Sequence, residues 1–355
     1  MTDLLAATAE MVGIASLSHH EGDMADLVEG ALRACSWLTV DRIGDNVVGR
    51  TSLGRDQRLV LAGHLDTVPP NGNTVPRVEG DTLWGIGSSD MKGGLAVMLD
   101  LATTVSEPSV DLTWCFYAAE EVGREESGLV VLWNYHAELL AGDAAILGEP
   151  TCALVEAGCQ GTMRFALSLT GVRAHTARPF TGRNAIHRLA PVLGAVAGWT
   201  SREVVLDGCT YAEQLQAVAV GGGVAGNVVP DAASITINFR YAPDRDSVGA
   251  EAYLRDLLDS TFSEDDGDSV VVDAADGAPP SLDHPLLSAL VQRTGTEPRA
   301  KVGWTDVASF WEHGVPAANF GPGDPLLAHH PDEHVTRAQL ERAREVLAAL
   351  ITTSP

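Results

Sequence analysis

The chain has 355 residues, 45% of them hydrophobic and 20% charged, with a formal net charge of −25. That length and composition describe one large or two ordinary folded domains and exclude a disordered chain. The acidic balance, without any basic patch, argues against nucleic acid or an anionic membrane as partner, and no apolar run approaches the roughly 20 residues that span a bilayer. The N-terminus, MTDLLAATAEMVGIAS, has no basic region ahead of a cleavable apolar core, so a cytoplasmic location is expected. Five scattered cysteines, Cys35, Cys115, Cys152, Cys159 and Cys209, form no C-x-x-C pair and read as reduced structural thiols.

In chain order, the apolar periodicity predicts helices over 3–13 and 21–35, then a short β run, QRLVLAG (57–63), that stops at His64. The stretch LAGHLDTVPP thus places His64 and Asp66 where a buried strand gives way to a proline turn. GIGSSDMKGG follows, with Asp90 among small residues ahead of a helix predicted over 92–105. A second β run, VDLTWCFYAA (110–119), ends at Glu120 and Glu121, and a third, DAAILG (143–148), ends at Glu149 and Pro150. In the middle of the chain TMRFALSLTG, LQAVAVGGG and DAASITINFRY alternate as half-buried strands do, with helical stretches near 184–198 and 247–259. A fourth apolar run, VPAANFG (315–321), leads into AHHPDEH, and a helix over 336–351 closes the chain.

Strands alternating with helices imply an α/β domain on a mostly parallel sheet, and such sheets bind ligands beyond the carboxyl ends of their strands. Each of the four buried-type strands delivers a histidine or an acid at or beyond that end. The middle segment fits an α+β insert, an antiparallel sheet with helices on one face. The expected division is therefore a domain of residues 1–161 and 274–355, split by an inserted domain of 162–273.

The chemistry comes from combining the strand ends. Residues at i and i+2 of an extended segment point the same way, so Asp66 is placed to hydrogen-bond the second ring nitrogen of a metal-bound His64. Consecutive carboxylates on irregular chain diverge, so one of Glu120 and Glu121 can bind a metal while the other stays free as a base. Asp90, Glu149 and a histidine of AHHPDE complete two histidines and three carboxylates, with one glutamate to spare. A single zinc needs only three protein ligands and a water, whereas this inventory fits two metals sharing a bridging carboxylate. Taken singly, Asp90 reads as a helix cap, Glu149 as a turn residue and the glutamate pair as a solvated loop. Their occurrence together, in this order, points to a site. Neither H-E-x-x-H nor G-x-S-x-G is present.

The ordered set GHLDTVP, GIGSSDMKGGLA, YAAEEVG, LGEPT, GVRAHTARP, GGGVAGNVVPDAASITINFRYAPDR, GWTDVASF and FGPGDPLLAHHPDE resembles the M20 metallopeptidase family over nearly the whole chain, and within it the actinobacterial desuccinylase branch. The resemblance implies a di-zinc aminopeptidase-like catalytic domain carrying an inserted lid and dimerisation domain. Zinc is the expected metal and cobalt a substitute. The implied reaction removes succinate from N-succinyl-L,L-2,6-diaminopimelate in lysine and diaminopimelate biosynthesis; the alternative is another M20 hydrolase, an N-acyl amino acid deacylase or a dipeptidase or carboxypeptidase. Matched position by position, His64, Asp90 and Glu149 hold one zinc, while Asp90, Glu121 and His329 hold the other. Asp66 orients His64, Glu120 is the general base, and His330 is a neighbour of the ligand His329. In the insert, His175 reaches the reacting carbonyl across a homodimer, and Asn227 and Arg240 hold substrate carboxylates, with Thr305 a further substrate contact. Gln160 stands where better-known proteobacterial members carry arginine, which implies a difference in carboxylate recognition.

Overall fold

A computed structural model describes residues 3–353. The chain forms two compact units, one comprising everything up to Ala157, Pro280–Arg299 and everything from Ser309, the other Gly158–Pro279 with Ala300–Ala308.

The first unit is an α/β domain. Its central strands, Asp111–Tyr117, Arg58–His64, Ala144–Leu147 and Ala317–Asn319, lie side by side in that order and are mutually parallel. Antiparallel strands flank them, Asn46–Arg50 and Thr39–Ile43 at one edge and Glu156–Ala157 toward the other. The parallel strands read as continuous apolar runs because both of their faces are covered. Alternate residues Leu59, Leu61, Leu112, Trp114, Phe116, Ala144 and Ile146 share one core with helices Leu4–Val12, Gly22–Arg33, Gly93–Thr104, Pro285–Thr294 and Arg337–Thr352. Helix Gly128–Leu140, which the sequence reading did not anticipate, packs instead on strand Asp111–Tyr117, and the Ser127 hydroxyl accepts from Leu129 N at its start.

The second unit is an antiparallel four-stranded sheet, in the order Gln214–Gly222, Ala232–Tyr241, Gly161–Thr170, Ser269–Ala275. Strict alternation buries Met163, Phe165, Leu167, Ile235, Ile237 and Phe239 against helices Leu189–Ala197 and Ser247–Leu258, leaving Arg164, Asn238 and Arg240 on the other face. The helix expected over 184–198 begins only at Leu189 because the preceding residues are held in turns; Asn184 Oδ1 accepts from His187 N at 3.1 Å. The unit also begins earlier and ends later than the expected 162 and 273, and it takes in 300–308. That last segment is held by Gln160 N donating to Lys301 O at 3.2 Å and Trp304 Nε1 to Asp276 O at 3.0 Å. Thr305 therefore belongs to the second unit.

Among the described residues, no helix is long and apolar enough to cross a membrane.

Candidate metal centre

His64 is the last residue of its strand and is fully buried. Its Nδ1 lies 3.1 Å from the Asp66 carbonyl oxygen and 3.4 Å from Asp66 Oδ1, while Nε2 lies 3.2 Å from Asp90 Oδ1. With Nδ1 held by Asp66, Nε2 is the nitrogen presented to a cation. Burial disfavours a positive charge on this ring, yet the Asp66 and Asp90 carboxylates outweigh it and hold the imidazole well above its usual pKa. The field at Nε2 thus favours positive charge.

Asp66 does more than touch His64. Its Oδ1 accepts from Glu120 N at 3.0 Å, and its Oδ2 from Glu121 N at 3.0 Å and from the Ser18 hydroxyl at 2.7 Å. Burial would raise its pKa, but the His64 bond and the two amides reverse that and keep it below the carboxylate range. Expected as the orienter of a histidine, Asp66 also fixes the backbone of the glutamate pair.

Asp90 sits in the turn Ser88–Lys92, where Glu333 crosses from the far end of the chain to accept from Gly87 N, Ser89 N and Asp90 N at 3.1, 2.9 and 3.0 Å. Burial pushes the Glu333 carboxyl up to about 7 against those three donors. Lys92, also buried, donates from Nζ to Ile14 O at 2.7 Å, and burial depresses it to about 8. Neither residue was singled out in the sequence. Their only local signals are an acid four positions past His329 and a lysine opening an apolar helix. Gly94 lets the start of that helix approach the Glu149 turn, since a Cβ there would collide with the Gly148 carbonyl. Gly148 N donates to Ala62 O, and Leu147 pairs with Ala62, so Glu149 lies level with His64 on the adjacent strand line. Glu149 is buried.

His329, with φ 62°, turns toward this group, and its Nε2 lies 2.8 Å from Glu121 Oε1 and 3.7 Å from Asp90 Oδ2. The Glu121 bond raises its pKa. His330 points elsewhere, its Nδ1 accepting from Asp332 N at 3.2 Å. His64, Asp90 and Glu121 each offer a ligand atom within 4.8 Å of the others. The two oxygens of Asp90 face different histidines, at 3.2 and 3.7 Å. Two donors sharing one tetrahedral zinc at ordinary bond lengths lie about 3.4 Å apart. The donor set, its spacing and the excess of carboxylates therefore fit divalent cations on both sides of Asp90.

The other expected residues lie in the second unit. Strand Ala174–His175 pairs with Val228–Val229, and Thr176 N donates to Asn227 O at 3.0 Å, which brings exposed His175 and Asn227 together on one short ribbon. Arg240 stands on the polar face of the four-stranded sheet. Burial lowers its pKa, with Arg164 as a like-charged neighbour. Thr305 is buried, and its carbonyl accepts from Cys159 Sγ at 3.7 Å. Gln160 is fully buried and donates from Nε2 to Ala212 O at 2.9 Å, so its amide serves the unit's interior.

The model of Peptidase family M20/M25/M40 matches residues 60–353. The chain belongs to that family. Among relatives of this M20/M25/M40 chain, a Mycobacterium tuberculosis protein provisionally named succinyl-diaminopimelate desuccinylase is 49% identical over 346 residues, 97% of each chain. The succinyl-diaminopimelate desuccinylase of Corynebacterium glutamicum is 43% identical over 354 residues, covering 98% of this chain and 95% of its own. The fold matches the crystal structure of aminopeptidase PepT from Bacillus cereus with a TM-score of 0.81 at 17% identity, covering 98% and 97% of the two chains.

Proposed function

We propose that this M20 chain is a dinuclear metal-dependent amide hydrolase that removes succinate from N-succinyl-L,L-2,6-diaminopimelate in the biosynthesis of diaminopimelate and lysine. Asp90 supports the chemical part of this reading, because its two oxygens lie toward different histidines, His64 and His329, as a carboxylate shared by two cations would. The substrate rests on the names of relatives 49% and 43% identical over nearly their whole length. The working location is the cytoplasm.

His64, Asp90 and Glu149 would hold one ion, and Asp90, Glu121 and His329 the other. When bound, a pair of zinc ions, with cobalt as substitute, polarises the scissile carbonyl and lowers the pKa of a water toward 7. Glu120 takes the proton released as that water attacks the carbonyl carbon. It returns the proton to the amide nitrogen as the C–N bond breaks, so one water is consumed per succinate and diaminopimelate released. Asp66 holds Glu120 and Glu121 in place through their amides while it orients His64. His175, supplied by the partner of a homodimer, donates to the developing oxyanion, and Asn227, Arg240 and Thr305 bind the substrate's carboxylate-bearing ends. Dimerisation through the second unit is supported by the strand Gln214–Gly222. It is one of the two outer strands of its sheet, and Val218 and Val220 on it are 59% and 57% exposed.

The test is product analysis with zinc-loaded enzyme on N-succinyl-L,L-diaminopimelate, N-acetyl amino acids and dipeptides. Succinate release should be the fastest reaction and should cease with a chelator, and saturation should give close to two zinc ions per chain. Faster cleavage of an N-acetyl amino acid or a dipeptide would reassign the substrate. Full activity with one bound ion would reject the bridged site.

A further inference from the structure

Three successive backbone amides at the glutamate pair are taken by two buried carboxylates from elsewhere in the chain. Asp66 accepts from Glu120 N and Glu121 N, and Glu21 Oε1 accepts from Ala119 N at 3.0 Å. Glu21 precedes helix Gly22–Arg33 but makes no side-chain cap there; its Oε1 also accepts from His19 N at 2.9 Å, and the residue is 1% exposed. The segment bearing it is docked beside the metal centre. Leu17 bridges to Thr67, Thr67 N donates to Ser16 O at 2.8 Å, and the Ser18 hydroxyl reaches Asp66 Oδ2. On the opposite side of this clamp, Ala119 has φ 58°, in the left-handed region that a residue with a Cβ enters at a cost of about 1 kcal/mol. It stays there because its N–H has one buried acceptor, Glu21, and losing that acceptor would strand a buried donor.

We infer that Glu21 is a positioning residue that holds Ala119 in its left-handed conformation and so aims Glu120 at the reacting water and Glu121 at the metal. This rests on the roles given to Glu120 and Glu121 in the proposed function. A change of φ at Ala119 swings everything that follows it, and a misplacement of about 1 Å at a catalytic group lowers the rate by about 100-fold. The acceptor oxygen matters here, so glutamine, which keeps a carbonyl at the same reach, substitutes for glutamate and leucine does not.

The experiment compares Glu21→Leu, Glu21→Gln and Asp111→Asn with the wild type in kcat, KM, zinc content and melting temperature. Asp111 is a buried acid of the same unit, at the start of the strand Asp111–Tyr117, where its oxygens accept from Thr51, Leu53 and Arg55 and lie 3.9 Å from Arg58 Nη2. Glu21→Leu should retain both zinc ions and a KM within about threefold, while kcat falls about 30- to 100-fold. Glu21→Gln should recover kcat to within about threefold, and Asp111→Asn should lower the melting temperature while leaving kcat unchanged. A folded, zinc-loaded Glu21→Leu enzyme with wild-type kcat would overturn the assignment, as would a Glu21→Gln enzyme as slow as Glu21→Leu. Should Glu21→Leu not fold, Glu21→Asp decides, because the shorter side chain withdraws the acceptor oxygen from Ala119 N: a kcat loss of about threefold or more at unchanged zinc content supports the clamp, and an unchanged kcat overturns it. If the wild type does not hydrolyse N-succinyl-L,L-diaminopimelate, the substrate reading fails by itself. The same comparison is then run on whichever amide of the panel the wild type cleaves.

Discussion

Glu120 and Glu121 are neighbours in sequence with different environments. The Glu121 carboxylate is engaged by His329, whereas Glu120 is the one assigned to move a proton. Replacing Glu120 with Gln is expected to reduce kcat by about 1,000-fold or more while both zinc ions remain, as atomic absorption would report. Loss of a metal in that variant would mean that the two glutamates exchange roles. The histidine pair gives a second residue-level test. His329→Ala should lose one of the two zinc ions and its activity, because its ring alone of the pair reaches Glu121, while His330→Ala should keep both. Equal metal loss in the two variants would contradict the assignment.

At the scale of elements, a buried ion pair ties two parts of the second unit together. Asp268 accepts from Arg188 at 2.6 Å through both oxygens and from Thr170 N and Ser263 N at 2.8 and 2.9 Å, linking the loop before strand Ser269–Ala275 to the start of helix Leu189–Ala197. Burial works against this charge, but the guanidinium and the two amides prevail and hold the carboxyl well below its usual pKa. Its folded pKa is depressed, so its contribution is complete above the unfolded value near 4 and is lost as pH falls toward the folded one. Chemical denaturation should show the wild type losing stability below about pH 4, with Asp268→Asn removing that part of the pH dependence and costing about 3–5 kcal/mol at neutral pH. A variant as stable as the wild type at pH 7 would sink this account. The same elements show what periodicity reveals. The four parallel strands and helices such as Gly93–Thr104 were legible because burial on both faces, or on one stripe, writes itself into the apolar pattern. Helix Gly128–Leu140 was not, since it opens on glycine and carries Val130 and Val131 in its first turn, residues that favour strands.

At the scale of the whole molecule, the proposed homodimer makes the partner's insert part of each active site. Homodimers of His175→Ala and of Glu120→Ala should each be nearly inactive, and mixing with subunit exchange should restore about a quarter of wild-type activity. Half of the dimers are then mixed, and each of these has one intact site of two. Mixed dimers that form and stay inactive would reject action in trans. By itself the sequence determined which side chains stand at the strand ends, because a period of two residues and the positions of glycine and proline are properties of the local chain. His64, Asp90, the glutamate pair and Glu149 are all read from that local pattern. Only the tertiary structure decided what each acid meets. Glu333 finds the amides of Gly87, Ser89 and Asp90, and Glu21 finds Ala119. A buried carboxylate must find donors wherever folding brings them, and Glu21 and Ala119 are 98 residues apart in the chain, Glu333 and Asp90 243. No spacing rule spans such distances, since the partner is a backbone amide that any residue carries.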